Sequence, residues 1–405
     1  MDIMLLVLSV FLGICFGIFT GLLPGVHINL IAGMILIYLS FFLKFFDEVL
    51  LGVFIIVMSV THTFIDFIPS IIFGVPSSDT AMGVLPGHRL VLEGKGYLAI
   101  FLSSIGSLFG VIFLFFLLPV LFLYLEVIYL FVKDYIAYVL ILVVVFLILQ
   151  DIGEKNKFFW SLIIVCFSSA LGFLVLNTYL IDDALLVLFT GLFGVASLIF
   201  ALNGEENSLP LQKFGLEGFK VDFSFFKAVF VGGITSSVCS VVPGVGNAQA
   251  ATIVSVFFRK MSAELFIVML SVINTINFAL SIVTFYLISR ARNGSILVVS
   301  QILGEINFGL LWFYLILILI VAILCFFITI FLGKLILKGI SRINLRYVNI
   351  LILGSLFLIV FVLTNFYGVL ILVLSSSLGL LALGLGVKRI HLMSVLLVPV
   401  IFNLL

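Results

Sequence analysis

Gly21-Leu-Leu-Pro24-Gly25-Val26-His27-Ile28-Asn29 recurs in altered form as Ser240-Val-Val-Pro243-Gly244-Val245-Gly246-Asn247-Ala-Gln249. Each copy lies inside a long apolar stretch. A Pro-Gly pair is costly there, because proline removes an N–H from the helical ladder and glycine is the weakest ordinary helix former. Interrupted hydrophobic segments at corresponding places in two halves are the best sequence pointer to a binding site in a membrane carrier. The rest of the chain is read outward from these two breaks.

Composition sets the class. Of 405 residues, 64% are hydrophobic and 9% charged, and the mean hydropathy is +1.49. So little charge cannot clothe a water-facing surface, whereas recurring apolar runs near twenty residues suit membrane-spanning helices. The pattern predicts an all-α polytopic membrane protein with about 10–12 transmembrane segments, resident in the cell membrane. Short alternating segments, the mark of a barrel, are missing. A net charge of +1 gives nucleic acid nothing to bind. Cys15, Cys166, Cys239 and Cys325 stand singly with no metal-ligand spacing, so packing is their expected role and no cofactor is implied.

Apolar runs lie near 3–23, 26–43, 49–73, 97–121, 122–150, 158–176 and 184–202. After the polar interval 203–227 they resume near 228–242, 245–258, 263–289, 295–306, 308–336, 347–364, 366–385 and 391–404. This divides the chain into a first transmembrane repeat (1–202), a cytoplasmic connector (203–227) and a second repeat (228–405). The runs 228–242, 245–258 and 295–306 fall short of the roughly 20 residues a crossing needs. The first two, joined at Pro243-Gly244, read as a re-entrant hairpin. The arms 3–23 and 26–43 are long enough to cross, which leaves the first hairpin as either re-entrant or spanning. Glu126, Lys133 and Asp134 mark a turn or interfacial segment within 122–150.

Basic residues favour the cytoplasmic side. With Lys334, Lys338, Arg342 and Arg346 placed inside, counting back along the segments makes the two hairpins enter from opposite faces, an inverted repeat. The duplication extends further. Ser59-Val-Thr-His62-Thr-Phe-Ile-Asp66-Phe67-Ile-Pro-Ser70 matches Ser271-Val-Ile-Asn274-Thr-Ile-Asn277-Phe278-Ala-Leu-Ser281 with one gap, and the polar members keep their places.

These features nominate the chemistry. A helix restarted in mid-membrane presents bare N–H groups and the positive end of its dipole, a ready anion site. Pro24, Gly25, Val26, His27 and Asn29 at one break, and Pro243, Gly244, Gly246, Asn247 and Gln249 at the other, are the candidate substrate contacts; a mere packing kink is the bland reading. His62 and Asp66 sit four apart on one helix face and read as cavity lining with a proton or ion role, as a mutually satisfied structural pair, or as a metal or catalytic pair. Asn274 and Asn277 offer polar, non-titrating lining in the second copy. Pro76, Ser77, Ser78 and Thr80 form a polar loop that suits ligand binding or helix capping equally, and Asp79 within it is a coupling-ion candidate. Arg290 and Arg292 are expected on the outer side, where they either attract an anion or sit at the interface.

At these residues the chain resembles the TctA-type permeases, the large membrane subunit of tripartite tricarboxylate transporters. The repeated Pro-Gly-Val hairpins with nearby asparagine carry the likeness, together with Gly74-Val-Pro76-Ser-Ser through Leu85-Pro86-Gly87-His-Arg-Leu-Val-Leu-Glu-Gly94-Lys95-Gly96. The resemblance implies a secondary, cation-coupled permease for small carboxylates, not an enzyme. The resemblance also implies an extracytoplasmic binding protein and a small membrane subunit as companions. It places substrate contacts at Pro24–Asn29, Pro243–Gln249 and Pro76–Thr80.

The expectation is therefore a symporter for a small organic anion such as a di- or tricarboxylate, working by alternating access, with Na+ or H+ as the coupling ion. A homodimer is compatible with it. The rivals are a translocase of an anionic lipid headgroup such as polyprenyl phosphate, and an intramembrane enzyme built on His62 and Asp66.

Overall fold

The computed structural model describes residues 2–23, 28–74, 84–149, 155–178, 181, 184–202, 210–216, 219–241, 247, 250–251, 254, 261–340 and 345–405. Among these residues the secondary structure is helical, and eight helices are long and apolar enough to cross a membrane, with three shorter apolar helices beside them. The chain is a multi-pass membrane protein.

The first half holds α1 (Ile3–Leu22), α2 (Ile28–Ile37), α3 (Glu48–Ile65), α4 (Phe67–Phe73), α5 (Val84–Leu92) and α6 (Gly96–Val132), then α7 (Ile136–Leu149), α8 (Lys155–Leu176) and α9 (184–202). The second half holds α10 (Phe223–Val241), α11 (Ala263–Ile288), α12 (Gly294–Leu303), α13 (Phe308–Ile340), α14 (Leu345–Gly384, two helices joined at a break at Asn365, φ 57°) and α15 (Ser394–Leu404). Side chains set several starts: Asp47 accepts from the Leu50 amide, Asp222 from Phe225, Ser262 from Leu265 and Asn293 from Ile296, each satisfying an orphan N–H of a first turn.

Three segment readings change. The run 26–43 does not form one crossing helix: α2 stops at Ile37 and a four-residue turn follows at Leu39–Phe42, so the piece after the first break is only about 15 Å long. Conversely, the arm read as 228–242 begins earlier, at Phe223, and its 19 residues suffice to cross. Lys227 had marked it as connector, but one long cationic side chain on a helix end is tolerated because its head reaches water. The expected division at 121/122 is absent too. α6 continues for 37 residues and yields to a 3-10 turn at Lys133–Tyr135, where the charged residues predicted an interruption.

The principal packing contacts fall into two groups. In the central group α1 lies along α3 and α10 along α11; α13 and α12 pack on α3, while α6 and α5 pack on α11; α3 and α11 also touch each other. The windows of Glu48–Phe73 and Ala263–Ile288 are 83% and 89% buried, against 22–44% for the other six long helices, so α3 and α11 form the axis of the molecule. In the peripheral group α7, α8 and α9 pack with α14 and α15, so each half gives its last helices to a second bundle.

Small residues bring the backbones together. Counting back from each proline, Ser9, Gly13, Gly17 and Gly21 in α1 stand at the same offsets as Ala228, Gly232, Ser236 and Ser240 in α10, and all eight are buried. A Cβ on Gly13 or Gly17 would come within 2.8 Å of Val57 Cβ or 2.5 Å of Thr61 Cβ. In the second half a Cβ on Gly232 would meet the Met269 carbonyl at 2.9 Å, and Ser236 donates to the Ile273 carbonyl at 3.4 Å. Met269 and Ile273 are the positions that match Val57 and Thr61 in the internal alignment. Close approach through small residues is how helices associate where lipid offers no hydrophobic drive.

Candidate functional site

The site grows from the break between α3 and α4. Pro69, in the first turn of α4, has no N–H to return to the Ile65 carbonyl, so the ladder is interrupted and Asp66 occupies the junction. Asp66 and His62 are each only 4% exposed. They lie on one face of the same element, yet they reach different helices. His62 Nδ1 is 3.1 Å from Thr20 Oγ1 on α1, four residues before the first Pro-Gly. Asp66 Oδ2 accepts from Asn274 Nδ2 on α11 at 3.3 Å.

From Asn274 a string of amides runs on. Its Nδ2 also lies 3.4 Å from the Thr63 carbonyl, and its Oδ1 accepts from Asn247 Nδ2 at 2.8 Å. Asn247 Oδ1 in turn accepts from Asn277 Nδ2 at 2.6 Å. Asn274 is 2% and Asn247 6% exposed. Asn274 and Asn247 thus each donate one way and accept the other, the arrangement that satisfies buried polar groups away from water. The string joins the first repeat block (Thr63, Asp66), the second (Asn274, Asn277) and the residue just past the second Pro-Gly (Asn247). The helices that the sequence aligned as copies are the ones that meet.

Of the nominated residues, His62, Asp66, Asn247, Asn274 and Asn277 come together here. Asn29 goes elsewhere. It is exposed, and its side chain rests on Gly294, where a Cβ would fall 2.7 Å from Asn29 Cγ; only glycine admits it at the start of α12. Pro24, Gly25, Val26, His27, Pro76, Ser77, Ser78, Asp79, Thr80, Pro243, Gly244, Gly246 and Gln249 lie outside the described residues. Thr20 was not nominated from sequence; its hydroxyl, bonded to the Gly17 carbonyl at 3.2 Å, looks like an ordinary helix hydroxyl. The signal that would have found it is its place beside the small-residue stripe, four before the proline.

The two arginines after α11 have distinct settings. Arg292 points Nη2 at the Cys239 carbonyl near the end of α10, where a cation complements the negative end of the helix. Burial lowers its pKa to about 10, so it stays charged at neutral pH. Its amide and that of Asn293 both donate to Ser281 Oγ, at 2.8 and 3.2 Å. Arg290 sits over the Tyr129 ring, 5.2 Å from the centroid. Among the described residues no three His, Cys, Asp or Glu side chains gather as metal ligands.

A family model described as "Tripartite tricarboxylate transporter TctA family" matches residues 7–394. A relative described as "Uncharacterized protein MJ1079", from Methanocaldococcus jannaschii, is 29% identical over 408 residues and is covered to 98% in both chains. No solved structure matches the chain.

Proposed function

Since the chain belongs to the tripartite tricarboxylate transporter TctA family, we propose that it is the permease that moves a small di- or tricarboxylate across the membrane by alternating access, coupled to Na+ or H+. The family implies companions, a small membrane subunit and an extracytoplasmic binding protein. On this reading the carboxylates of the cargo take the bare N–H groups at the Pro24-Gly25 and Pro243-Gly244 breaks, helped by Asn247 and Gln249.

The observation that supports the reading best is the buried string Asp66–Asn274–Asn247–Asn277. A carboxylate in the membrane interior is held at high cost and marks an ion or proton path more often than a static contact. Here it is tied through one amide, Asn274, to Asn247, the residue beside the second break. Binding a cation at Asp66 relieves its charge and weakens its claim on Asn274. That leaves Asn274 and Asn247 free to reorient when anion occupies the break. His62, hydrogen-bonded to the arm that leads to the first break, gives that break a titratable neighbour of its own. The coupling ion and the cargo thereby act on one hydrogen-bonded unit.

The test is uptake in proteoliposomes with labelled citrate, succinate and phosphate under imposed Na+ or proton gradients, with thermal-shift binding on the same preparation. Wild type is expected to accumulate a carboxylate under one of the gradients. Asp66→Asn is expected to lose gradient-driven accumulation while carboxylate still raises its melting temperature. Accumulation by Asp66→Asn at the wild-type level would remove Asp66 from the coupling. Failure of every carboxylate to shift or enter would overturn the substrate class.

A further inference from the structure

The peripheral bundle contains a second buried charge that the carrier reading does not use. Arg389, in the 3-10 turn Arg389–Met393 that precedes α15, is 8% exposed. Its Nη2 donates to Ser197 Oγ on α9 at 2.6 Å. The Ser197 hydroxyl is itself engaged with the Phe193 carbonyl and has little more to give. Nε and Nη1 of Arg389, carrying three N–H groups between them, are buried and find no hydrogen-bond partner among the described residues. Among the described residues no carboxylate pairs with it; the ion pairs of Arg89 and Lys95 with Glu93 are elsewhere. Burial lowers its pKa to about 10, so the guanidinium is a cation at neutral pH.

A guanidinium is rarely left this way, because buried charge is retained where it is paired and hydrogen-bonded. The surroundings are shaped rather than loose. α9 is wound as a π-helix over Thr190–Val195 immediately before Ser197, a deviation that recurs at functional positions. The π turn is held against α14, since a Cβ on Gly379 would run into the Leu192 carbonyl of the turn. The 3-10 turn is fixed by Ser168 and Ser394, whose hydroxyls meet at 2.5 Å and which bond the His391 carbonyl at 3.4 and 2.8 Å. Arg389 thus has a positioned head, one anchor and an unfilled set of donors.

We propose that Arg389, steadied by Ser197, is a binding site for an oxyanion group, a phosphate or carboxylate with two acceptor oxygens matched to the planar fork of the guanidinium. The group comes either from an anionic lipid headgroup, since the outer surface of the bundle carries exposed apolar residues such as Phe402 and Phe173, or from a soluble anion. The site is separate from the central string and does not depend on the transport reading.

The full chain, purified in a neutral detergent, is melted with phosphatidylglycerol, with phosphatidylcholine as control, and separately with inorganic phosphate and with citrate. One of the anions is expected to raise the melting temperature above the phosphatidylcholine control. That increment is expected to vanish in Arg389→Gln, and in Arg389→Lys to need about tenfold more ligand, the cost of one lost hydrogen bond to a charged group. An Arg389-dependent response to phosphatidylglycerol alone identifies a lipid headgroup; one to phosphate or citrate identifies a soluble anion. The proposal is overturned if no anion stabilises the wild type beyond phosphatidylcholine, or if Arg389→Gln responds as wild type does. Should Arg389→Gln fail to fold, an unaltered dose response in Arg389→Lys overturns it equally.

Discussion

The central helix pair and the peripheral bundle both bury polar side chains, but they satisfy them by different routes. Although Ser168 and Ser394 meet between α8 and α15, in the peripheral α14 the hydroxyls turn back onto their own helix: Ser375 bonds the Ile371 carbonyl, Ser376 that of Leu372 and Thr364 that of Val360. Such bonds are local and say nothing about which helix lies alongside. In the central pair the decisive groups are a carboxylate and three amides, whose hydrogen bonds run between elements: Asp66 to Asn274, Asn274 to Asn247, Asn247 to Asn277. These amides find partners on other segments, so they tie the two halves together. What the contrast teaches is that the α14 hydroxyls are satisfied within one helix, whereas the central carboxylate and amides are tied to other segments.

The comparison can be broken most forcefully at the backbone contacts beneath it. Gly17→Leu drives a side chain into Thr61 and the Met58 carbonyl and is expected to cost about 3 kcal/mol or more in reversible unfolding in mixed micelles. Gly33→Ala, where a Cβ meets nothing within 4 Å, should be neutral or stabilising by about 0.5–1 kcal/mol.

Next comes the string itself. Asn274→Ala strips partners from both Asp66 and Asn247 and is expected to destabilise by about 1–2 kcal/mol. A double-mutant cycle with Asn247→Ala should return a coupling of about 0.5–1 kcal/mol; a coupling of zero would mean the two amides do not act together. The peripheral counterpart, Ser376→Ala, loses only a bond within one helix and should stay within about 0.5 kcal/mol of wild type.

Thr20→Val is smaller again, near 1 kcal/mol, and it sharpens the assignment of His62: the imidazole proton resonances should move in this variant and not in Ser376→Ala.

The smallest effect belongs to the exposed cluster at the end of α5. The Arg89 side chain, bonded to Glu93 at 3.0 Å, is the main cause that holds the Glu93 carboxyl below its usual value, with Lys95 assisting. Arg89→Ala should raise the Glu93 titration midpoint in an NMR pH series. A depressed carboxyl supports the fold only above its unfolded pKa and loses that support as pH falls; at so exposed a position no change in melting temperature is expected.

Much of this was legible in the chain. Composition fixed the membrane class. The two Pro-Gly pairs and the matched blocks from Ser59 and Ser271 named Asn29, His62, Asp66, Asn247, Asn274 and Asn277, and the structure gathers all of these but Asn29. The stripe at Ser9, Gly13, Gly17 and Gly21, repeated at Ala228, Gly232, Ser236 and Ser240, was equally present in the sequence; it went unread because small residues are common in apolar helices and only their offsets from each proline distinguish them. Helix ends were less legible. Phe223 starts α10 because Asp222 caps it, and α2 ends at Ile37 although the residues beyond remain apolar.

By itself the sequence determined that this is a polytopic helical protein with two interrupted segments and two polar blocks of common pattern, because hydrophobic length and the chemistry of proline and glycine act over a few residues. Only the tertiary structure decided that His62 answers to Thr20 and Asp66 to Asn274, that Asn29 leaves the cluster for Gly294, and that Arg389 is buried with donors to spare. A polar atom in a membrane interior takes its partner from whichever helix lies next to it, and that neighbour is set by packing across the whole chain rather than by spacing along it.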